Sequence, residues 1–376
     1  MHALDPLSGR PVSANQNAWL GPNTPLDVQG IDYNTGNYDK VHAAAPTIPC
    51  ISSETSSAVS DRGEYDDNAT AGHVEGYDNQ YPGWGESAEQ AWGGVGMANG
   101  QGVLTRAFIS GGWTWTGWDY RGEPTPYAWP DVNSHFGILD LAGFEKDRFY
   151  WYKSWYTQPA VPVVRILPNT WNLNAGDTKP IWVFSNADEI EVFVNGVSQG
   201  RKAMPLYGHV EFDQVPFAPG QLHAVAYKNG TASPVAESFV KTAGPSASLQ
   251  ISIKDAMWGG QLVAGCADAI AVAVAIVDAA GVVNPNAADV VTFTVAGDAT
   301  YAGASNGDPA CLVNNKSPAR PAFHGLVAAL VLGGTTAGTV TVTASAPGFA
   351  PASISIPQVA APAGWSASWC HTNLAL

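Results

Sequence analysis

Charge is what this sequence has least of. Only 13% of its 376 residues are Asp, Glu, Lys or Arg, about half the share usual in soluble domains. The positive sign is the scarcer one: 17 Lys and Arg stand against 32 Asp and Glu, a formal net charge of −15. Such a chain is repelled by phosphate backbones and anionic lipids, so nucleic acid and membrane partners are disfavoured. A neutral ligand such as a sugar is compatible with it. Cysteine is also scarce. Cys50, Cys266, Cys311 and Cys370 are scattered, with no C-x-x-C pair and no metal-ligand spacing. Buried or free thiols are one reading and a Cys266–Cys311 bridge is another. No apolar run reaches the roughly 18 residues of a membrane span. The start, Met1-His2-Ala3-Leu4-Asp5-Pro6, lacks the basic and apolar regions of a signal peptide, so the expected location is cytoplasmic. No feature requires a cofactor, and no motif supports a bound Mg or Na ion.

Gly (40) and Pro (27) are plentiful beside 45% hydrophobic residues, a mix that favours turn-rich β structure with real cores. The combination that disorder needs, high charge with few aromatics, is missing. The length suits about two to four domains. Composition changes near residue 158: eight of the fourteen tryptophans lie in residues 1–151, with Trp155 just after. The segment Thr157-Gln158-Pro159-Ala160-Val161-Pro162 reads as a linker, because two prolines block helix and central strand alike.

Before that linker, residues 10–15, 27–33, 49–54 and 104–115 are short apolar runs ending in polar residues. Segments 38–45 and 86–99 between them have helical spacing. Strand then helix, repeated, predicts a parallel α/β arrangement, in which function gathers at the C-terminal strand ends. Those ends hold Asn15, Asn17, Tyr33, Asn34, Glu54 and Trp115. After the linker come short β-prone runs at 163–167, 179–185, 189–194, 209–212 and 223–228. Val194-Asn195-Gly196-Val197 among them is a hairpin signal. The runs at 270–278, 289–295, 325–332 and 338–344 repeat the style. Each set predicts a β-sandwich of immunoglobulin-like type. The expected domains are therefore 1–157, 158–244 and 245–357, with a tail at 358–376 that carries Trp365 and Trp369.

Two segments carry chemistry. In the first, Ser52-Ser53-Glu54-Thr55 puts a carboxylate at a strand end. A retaining glycosidase needs one such rigid carboxylate as nucleophile and a second about 5–5.5 Å away as acid and base. A helix cap or an ion pair would use the same residue. In the second, Trp115-Thr116-Gly117-Trp118-Asp119-Tyr120-Arg121-Gly122-Glu123 combines aromatic faces with carboxylates. That is the chemistry of a saccharide pocket, and equally of a buried aromatic core with ion-paired acids.

These two segments resemble the seventh and eighth barrel strands of family 2 glycoside hydrolases of the β-galactosidase type. Residues 27–34 and 10–15 are similar to the sixth and fifth strands, and Asn133-Ser134-His135-Phe136-Gly137 to the loop after the eighth. The likeness continues through Asp188-Glu189-Ile190-Glu191 and Ser305-Asn306-Gly307-Asp308 to about residue 357. It implies strands 5–8 of a (β/α)8 TIM-type barrel followed by two immunoglobulin-like sandwiches, an α/β part and then an all-β part. It implies Glu54 as nucleophile, Tyr33 and Asn34 beside it, Trp115 as a wall of the sugar subsite, and Asp119, Glu123 and His135 on the neighbouring loop, with Tyr33, Asn34, Trp115, Asp119 and His135 as the sugar-binding residues. His135 serves a structural role equally well.

The family's acid/base is a Glu in an Asn-Glu pair at the fourth strand, and this sequence has no counterpart to it. Glu123, Glu64 and Asp119 are the candidate substitutes, Glu123 first. Four strands of eight would leave two open edges, so a homo-oligomer that covers them is expected. The implied activity is a retaining β-galactosidase acting on a β-galactoside or related neutral sugar, with transglycosylation where a sugar hydroxyl replaces water. The rivals are a non-catalytic carbohydrate-binding or scaffold fragment and one subunit of a split enzyme.

Overall fold

The computed structural model describes residues 9–15, 26–77, 86–97, 99–157, 161–256, 259–265 and 268–361. Asn17, Cys266, Cys370, Trp365 and Trp369 lie outside the described residues, as do 158–160 of the linker and all but the first four residues of the tail. The chain forms two compact units. The first holds the described residues up to Asp140 with Glu145–Asn169 and Asn174–Val240. The second holds Leu141–Phe144, Thr170–Leu173 and the described residues of Lys241–Leu376.

The first unit opens with four parallel strands in chain order: β1 (Ser13–Ala14), β2 (Val28–Asp32), β3 (Cys50–Thr55) and β4 (Ile109–Thr114). Helix α1 (Tyr38–Ala44) joins β2 to β3, α2 (Ala88–Gly93) precedes β4, and α3 (Asp147–Tyr156) follows it. The 38–45 pattern gives α1, which ends where Ala45 takes φ −142° ahead of Pro46. The 86–99 pattern gives only six helical residues. Ser87 and Gln90 form a capping box at its start, and Gly94 at φ 67° ends it before the remaining glycines. The expected strand 104–115 keeps only Ile109–Thr114, because Val103–Thr105 tightens into a 3-10 turn. Tyr38, Val41, Ala91, Trp92 and Tyr152 from the helices pack on Ile31, Cys50 and Ile109 of the strands, in a core that also takes in Leu167 and Phe184.

The rest of the first unit is β structure. Strands β5 (Val164–Leu167), β6 (Thr178–Ser185) and β9 (Val210–Pro216) form an antiparallel sheet. Strands β7 (Glu189–Val194), β8 (Val197–Ala203), β10 (Gln221–Tyr227) and β11 (Pro234–Lys241) form another, in the order β11-β10-β7-β8. The Asn-Gly signal is a two-residue hairpin: Val194 pairs with Val197, and Asn195 and Gly196 take φ 48° and 81°, as a type I′ turn needs.

The second unit has two sheets. One runs β12 (Ser248–Ala256), β14 (Ala269–Val277), β18 (Leu326–Gly333), β16 (Ala299–Ser305). The other runs β13 (Leu262–Val263), β20 (Ala352–Val359), β19 (Gly338–Ser345), β15 (Val290–Ala296), β17 (Ala319–Pro321). Alternation along β14 explains its sequence: Ile270, Val272, Val274 and Ile276 are buried while the alanines between them are not. They share one core with Val327 and Val331 of β18, Val340 and Val342 of β19, and Val291 and Phe293 of β15.

Candidate active site

Three strand ends of the first unit meet at Glu54. The register of β3 against both neighbours breaks just before it. Ile31 opposes Ser52 but Asp32 opposes Glu54, and Gly112 opposes Ser52 while Thr114 opposes Thr55. One extra residue is therefore accommodated in β3, a bulge of the kind that re-aims side chains. Strict alternation would put Glu54 on the face of Cys50 and Ser52, which turn into the helix-packed core. With the extra residue, Thr55 takes that face and hydrogen-bonds Ser52, which also accepts from the Tyr38 hydroxyl (2.9 Å). Burial follows the break: Cys50, Ser52 and Thr55 are buried, whereas Ser53 and Glu54 are half-buried on the other face.

The Glu54 carboxylate accepts the Tyr33 hydroxyl at 3.1 Å and, more weakly, the Asn15 side-chain amide at 3.5 Å. Ser57 donates to the Tyr33 oxygen at 2.8 Å, which leaves the phenol proton aimed at Glu54. Burial, reinforced by the nearby Glu54 charge, pushes the Tyr33 hydroxyl well above its ordinary pKa, so it remains a donor. The backbones are laced as well: Tyr33 N–H donates to the Glu54 carbonyl (2.8 Å) and Trp115 N–H to the Thr55 carbonyl (3.0 Å). Tyr33, Asn34 and Ser56 all sit at positive φ, 52°, 44° and 64°, conformations that L-residues hold only when their surroundings impose them. Asn34 is exposed, and its carbonyl accepts the Asn37 N–H at 2.9 Å.

Trp115 leads to a second group. Its indole N–H donates to the Tyr120 hydroxyl at 3.2 Å, the two rings stand edge to face with centroids 6.1 Å apart, and Tyr120 donates onward to Glu123. Burial and the Glu123 contact push the Tyr120 hydroxyl up to about 12. Glu123 is exposed at φ 50°.

Asp119 and His135 belong to neither group. Both are buried, 5% and 0% exposed, which fits the structural reading of His135 and the ion-paired reading of Asp119 and corrects their assignment to sugar binding. Asp119 pairs with Lys146 at 2.6 Å and accepts from the Gly137 N–H (2.8 Å) and the Ser134 hydroxyl (3.1 Å). Burial still pushes its carboxyl up to about 6, against the pull of Lys146. His135 sets Nδ1 against both Asp61 oxygens (2.9 and 3.0 Å) and Nε2 against Asp131 (3.2 Å). Glu64, a candidate acid by sequence, pairs with His73 at 2.8 Å.

Ser57 and Tyr120 escaped the sequence reading as site residues, although both adjoin residues it singled out. Asp61, Asp131 and Lys146 carried no pattern that could have found them. A recess of about 550 Å³ opens on the α2 and α3 side of β4, lined by Trp92, Arg106, Ile109, Gly112 and Tyr156 among others. Neither Glu54 nor Trp115 lines it.

Comparison with known proteins follows the same division. The model for glycoside hydrolase family 2 C-terminal domain 5 matches residues 259–355, and that for a domain of unknown function matches 176–233. A β-galactosidase of Bacteroides ovatus, BoGH2A, is 35% identical over 94% of this chain, which spans 42% of that relative. A β-glucuronidase of Formosa agariphila is 28% identical over 67% of the chain and 25% of its own length. Among solved structures, a β-glycosidase from Bacteroides vulgatus aligns over 95% of this chain and 47% of its own, with TM-score 0.79 and 25% identity. A family 2 glycosyl hydrolase from Bacteroides cellulosilyticus shares the fold at TM-score 0.73 and 23% identity, over 94% of this chain and 46% of its own. The chain thus spans a little under half the length of the relatives that it matches end to end.

Proposed function

We propose that this chain is part of a glycoside hydrolase of family 2, whose C-terminal model and relatives it matches, and that Glu54 is the carboxylate that attacks the anomeric carbon of a terminal β-D-galactoside. β1–β4 are then strands 5–8 of an eight-stranded barrel, and the two pairs of sheets are immunoglobulin-like sandwiches. The observation that carries the reading is the pair of donors converging on Glu54, Tyr33 and Asn15. Donors to a carboxylate fix its direction. Trp115, one residue beyond the β4 end and hydrogen-bonded to the residue after Glu54, offers an aromatic face for the apolar side of a sugar ring.

Attack would give a covalent glycosyl-enzyme, later opened by water or by another sugar hydroxyl. Protonation of the leaving group calls for a second carboxylate about 5–5.5 Å from the first. Glu123 is the candidate within this chain. Asp119 and Glu64 are less suited, being engaged by Lys146 and His73.

Relatives act on galactosides and on glucuronides. The side chains hydrogen-bonded around Glu54, namely Asn15, Tyr33 and Ser57, are all neutral. The nearby cations Arg62 and Lys146 are buried in pairs with Asp140 and Asp119. A neutral hexose suits this site better than a uronate.

The test compares nitrophenyl β-galactoside with nitrophenyl β-glucuronide, on wild type and Glu54→Gln. Nitrophenol leaves with little protonation, so an incomplete acid is tolerated. Turnover of the galactoside by wild type, lost in Glu54→Gln, is expected. Equal rates for the two proteins, or preference for the glucuronide, would overturn the reading.

A further inference from the structure

Beside the candidate site lies a buried charge cluster to which the proposed chemistry assigns no task. Its centre is His135, whose two ring nitrogens both face carboxylates, Asp61 on one side and Asp131 on the other. Ionised carboxylates only accept hydrogen bonds, so a ring that satisfies both must donate twice, and only the imidazolium does that. Lys146 completes the cluster. Its ammonium pairs with Asp119 (2.6 Å) and donates to the carbonyls of Ser60 (2.6 Å) and His135 (3.1 Å), filling its three donor positions.

The partners come from both loops that bear the site. Ser60 and Asp61 lie on the chain that leaves β3 after Glu54, where the Ser60 N–H also donates to the His135 carbonyl (3.1 Å). Asp119, Asp131 and His135 lie on the chain that leaves β4 through Trp115, Tyr120 and Glu123. Asp61 is further fixed by the Val74 N–H (2.8 Å), and the Tyr127 ring stands edge-on to His135 at 5.9 Å. The charged and titratable groups facing His135 are therefore Asp61, Asp131, Lys146, Asp119 behind Lys146, and Tyr127. Close packing reinforces the arrangement: Gly72 holds φ 74°, and a Cβ there would meet the Asp131 carboxylate 1.9 Å away.

We propose that His135 is a positioning residue, an imidazolium clamp that locks the loop following Glu54 to the loop carrying Trp115, Tyr120 and Glu123. It deepens the reading of Glu54 and Trp115 as parts of one sugar site and rests on it only for the effect on turnover. Burial opposes the charge, but Asp61 and Asp131 outweigh it and raise His135 to about 9. A proton held more tightly in the folded state stabilises the clamp fully below the ordinary histidine value of 6.5 and is lost as pH climbs through about 9.

The experiment uses the full chain and its His135→Gln variant, with Asp131→Asn as a second lesion in case the first fails to fold. Nitrogen-15 spectra of the histidine rings should contain, at pH 8, one fully protonated imidazolium that vanishes in His135→Gln. Hydrogen exchange should quicken about tenfold or more in segments 56–64 and 119–135 of either variant, the scale of one lost charge-assisted hydrogen bond. The sheets of the second unit should be unaffected. Wild-type protection of both segments should fall between pH 7 and 10, while His135→Gln stays level. The alkaline limb of nitrophenyl galactoside turnover should move with it. A neutral ring at pH 8, or variant loops that exchange as in wild type, overturns the clamp. A chain with no turnover would overturn the catalytic reading and leave the spectra and exchange to decide the clamp.

Discussion

At the scale of single residues, direction matters more than identity. Glu54 is one of 32 acidic side chains, and what sets it apart is that Tyr33 is itself held by Ser57 with its proton pointing at the carboxylate. Tyr33→Phe keeps the ring and removes only that donor. Turnover of nitrophenyl galactoside should drop about tenfold, the scale of a hydrogen bond to a charged group, with KM within about twofold. An unchanged kcat in steady-state kinetics would mean that the phenol does not orient the nucleophile. That Glu54, Tyr33 and Trp115 share one end of the sheet was legible because each ends an apolar run or sits in a distinctive motif. For His135 and Asp119 the sequence left a structural and a sugar-binding role both open, and the choice rests on Asp61, more than 50 positions away in sequence, and on Lys146. Long-range ion pairs leave no local periodicity, and a loop histidine reads the same whether it faces solvent or two carboxylates.

At the scale of elements, the hidden feature is the extra residue of β3. Alternation predicts a strand at 49–54 correctly but assigns Glu54 to the wrong face, because the irregularity is defined only by the pairing with β2 and β4. Deleting Thr55 should restore continuous pairing and put Glu54 in the place of Thr55, turned toward the helices, where Tyr38 and Ser52 lie. Turnover should vanish, and the variant should melt lower than wild type by differential scanning calorimetry because a charge is being driven into an apolar core. Retained turnover would show that the break in register does not aim Glu54. Elsewhere, hydrophobic contrast accounts for part of what was read, although the alternating strands β12 and β20 were passed over. The Asn-Gly hairpin and the Ala/Val alternation of β14 were plain. Strand β8, Val-Ser-Gln-Gly-Arg-Lys-Ala, lies at the edge of its sheet with almost every residue exposed, so it has no apolar face to read. The same absence of contrast hid β16, Ala-Thr-Tyr-Ala-Gly-Ala-Ser, whose pairing with β18 is itself irregular between Tyr301 and Gly303.

At the scale of the whole molecule, sequence and structure agree on a chain rich in β-sheet; of the three short α-helices among the described residues, the sequence reading named α1 and α2 but not α3. Among the described residues the first sheet ends in β1 on one side and β4 on the other, and an edge strand offers its outer backbone groups to another chain. Self-association through these edges predicts a native mass of at least twice the 39.3 kDa of one chain, measurable by light scattering. A single-chain mass at working concentrations would remove that expectation. The sheet also contains its own chemical clock. Cys50, a free thiol 1% exposed at the start of Glu54's strand, has its pKa raised by burial. A thiol reagent reaches it only while the strands part, so the difference in labelling rate between wild type and Cys50→Ser counts how often the floor beneath Glu54 opens.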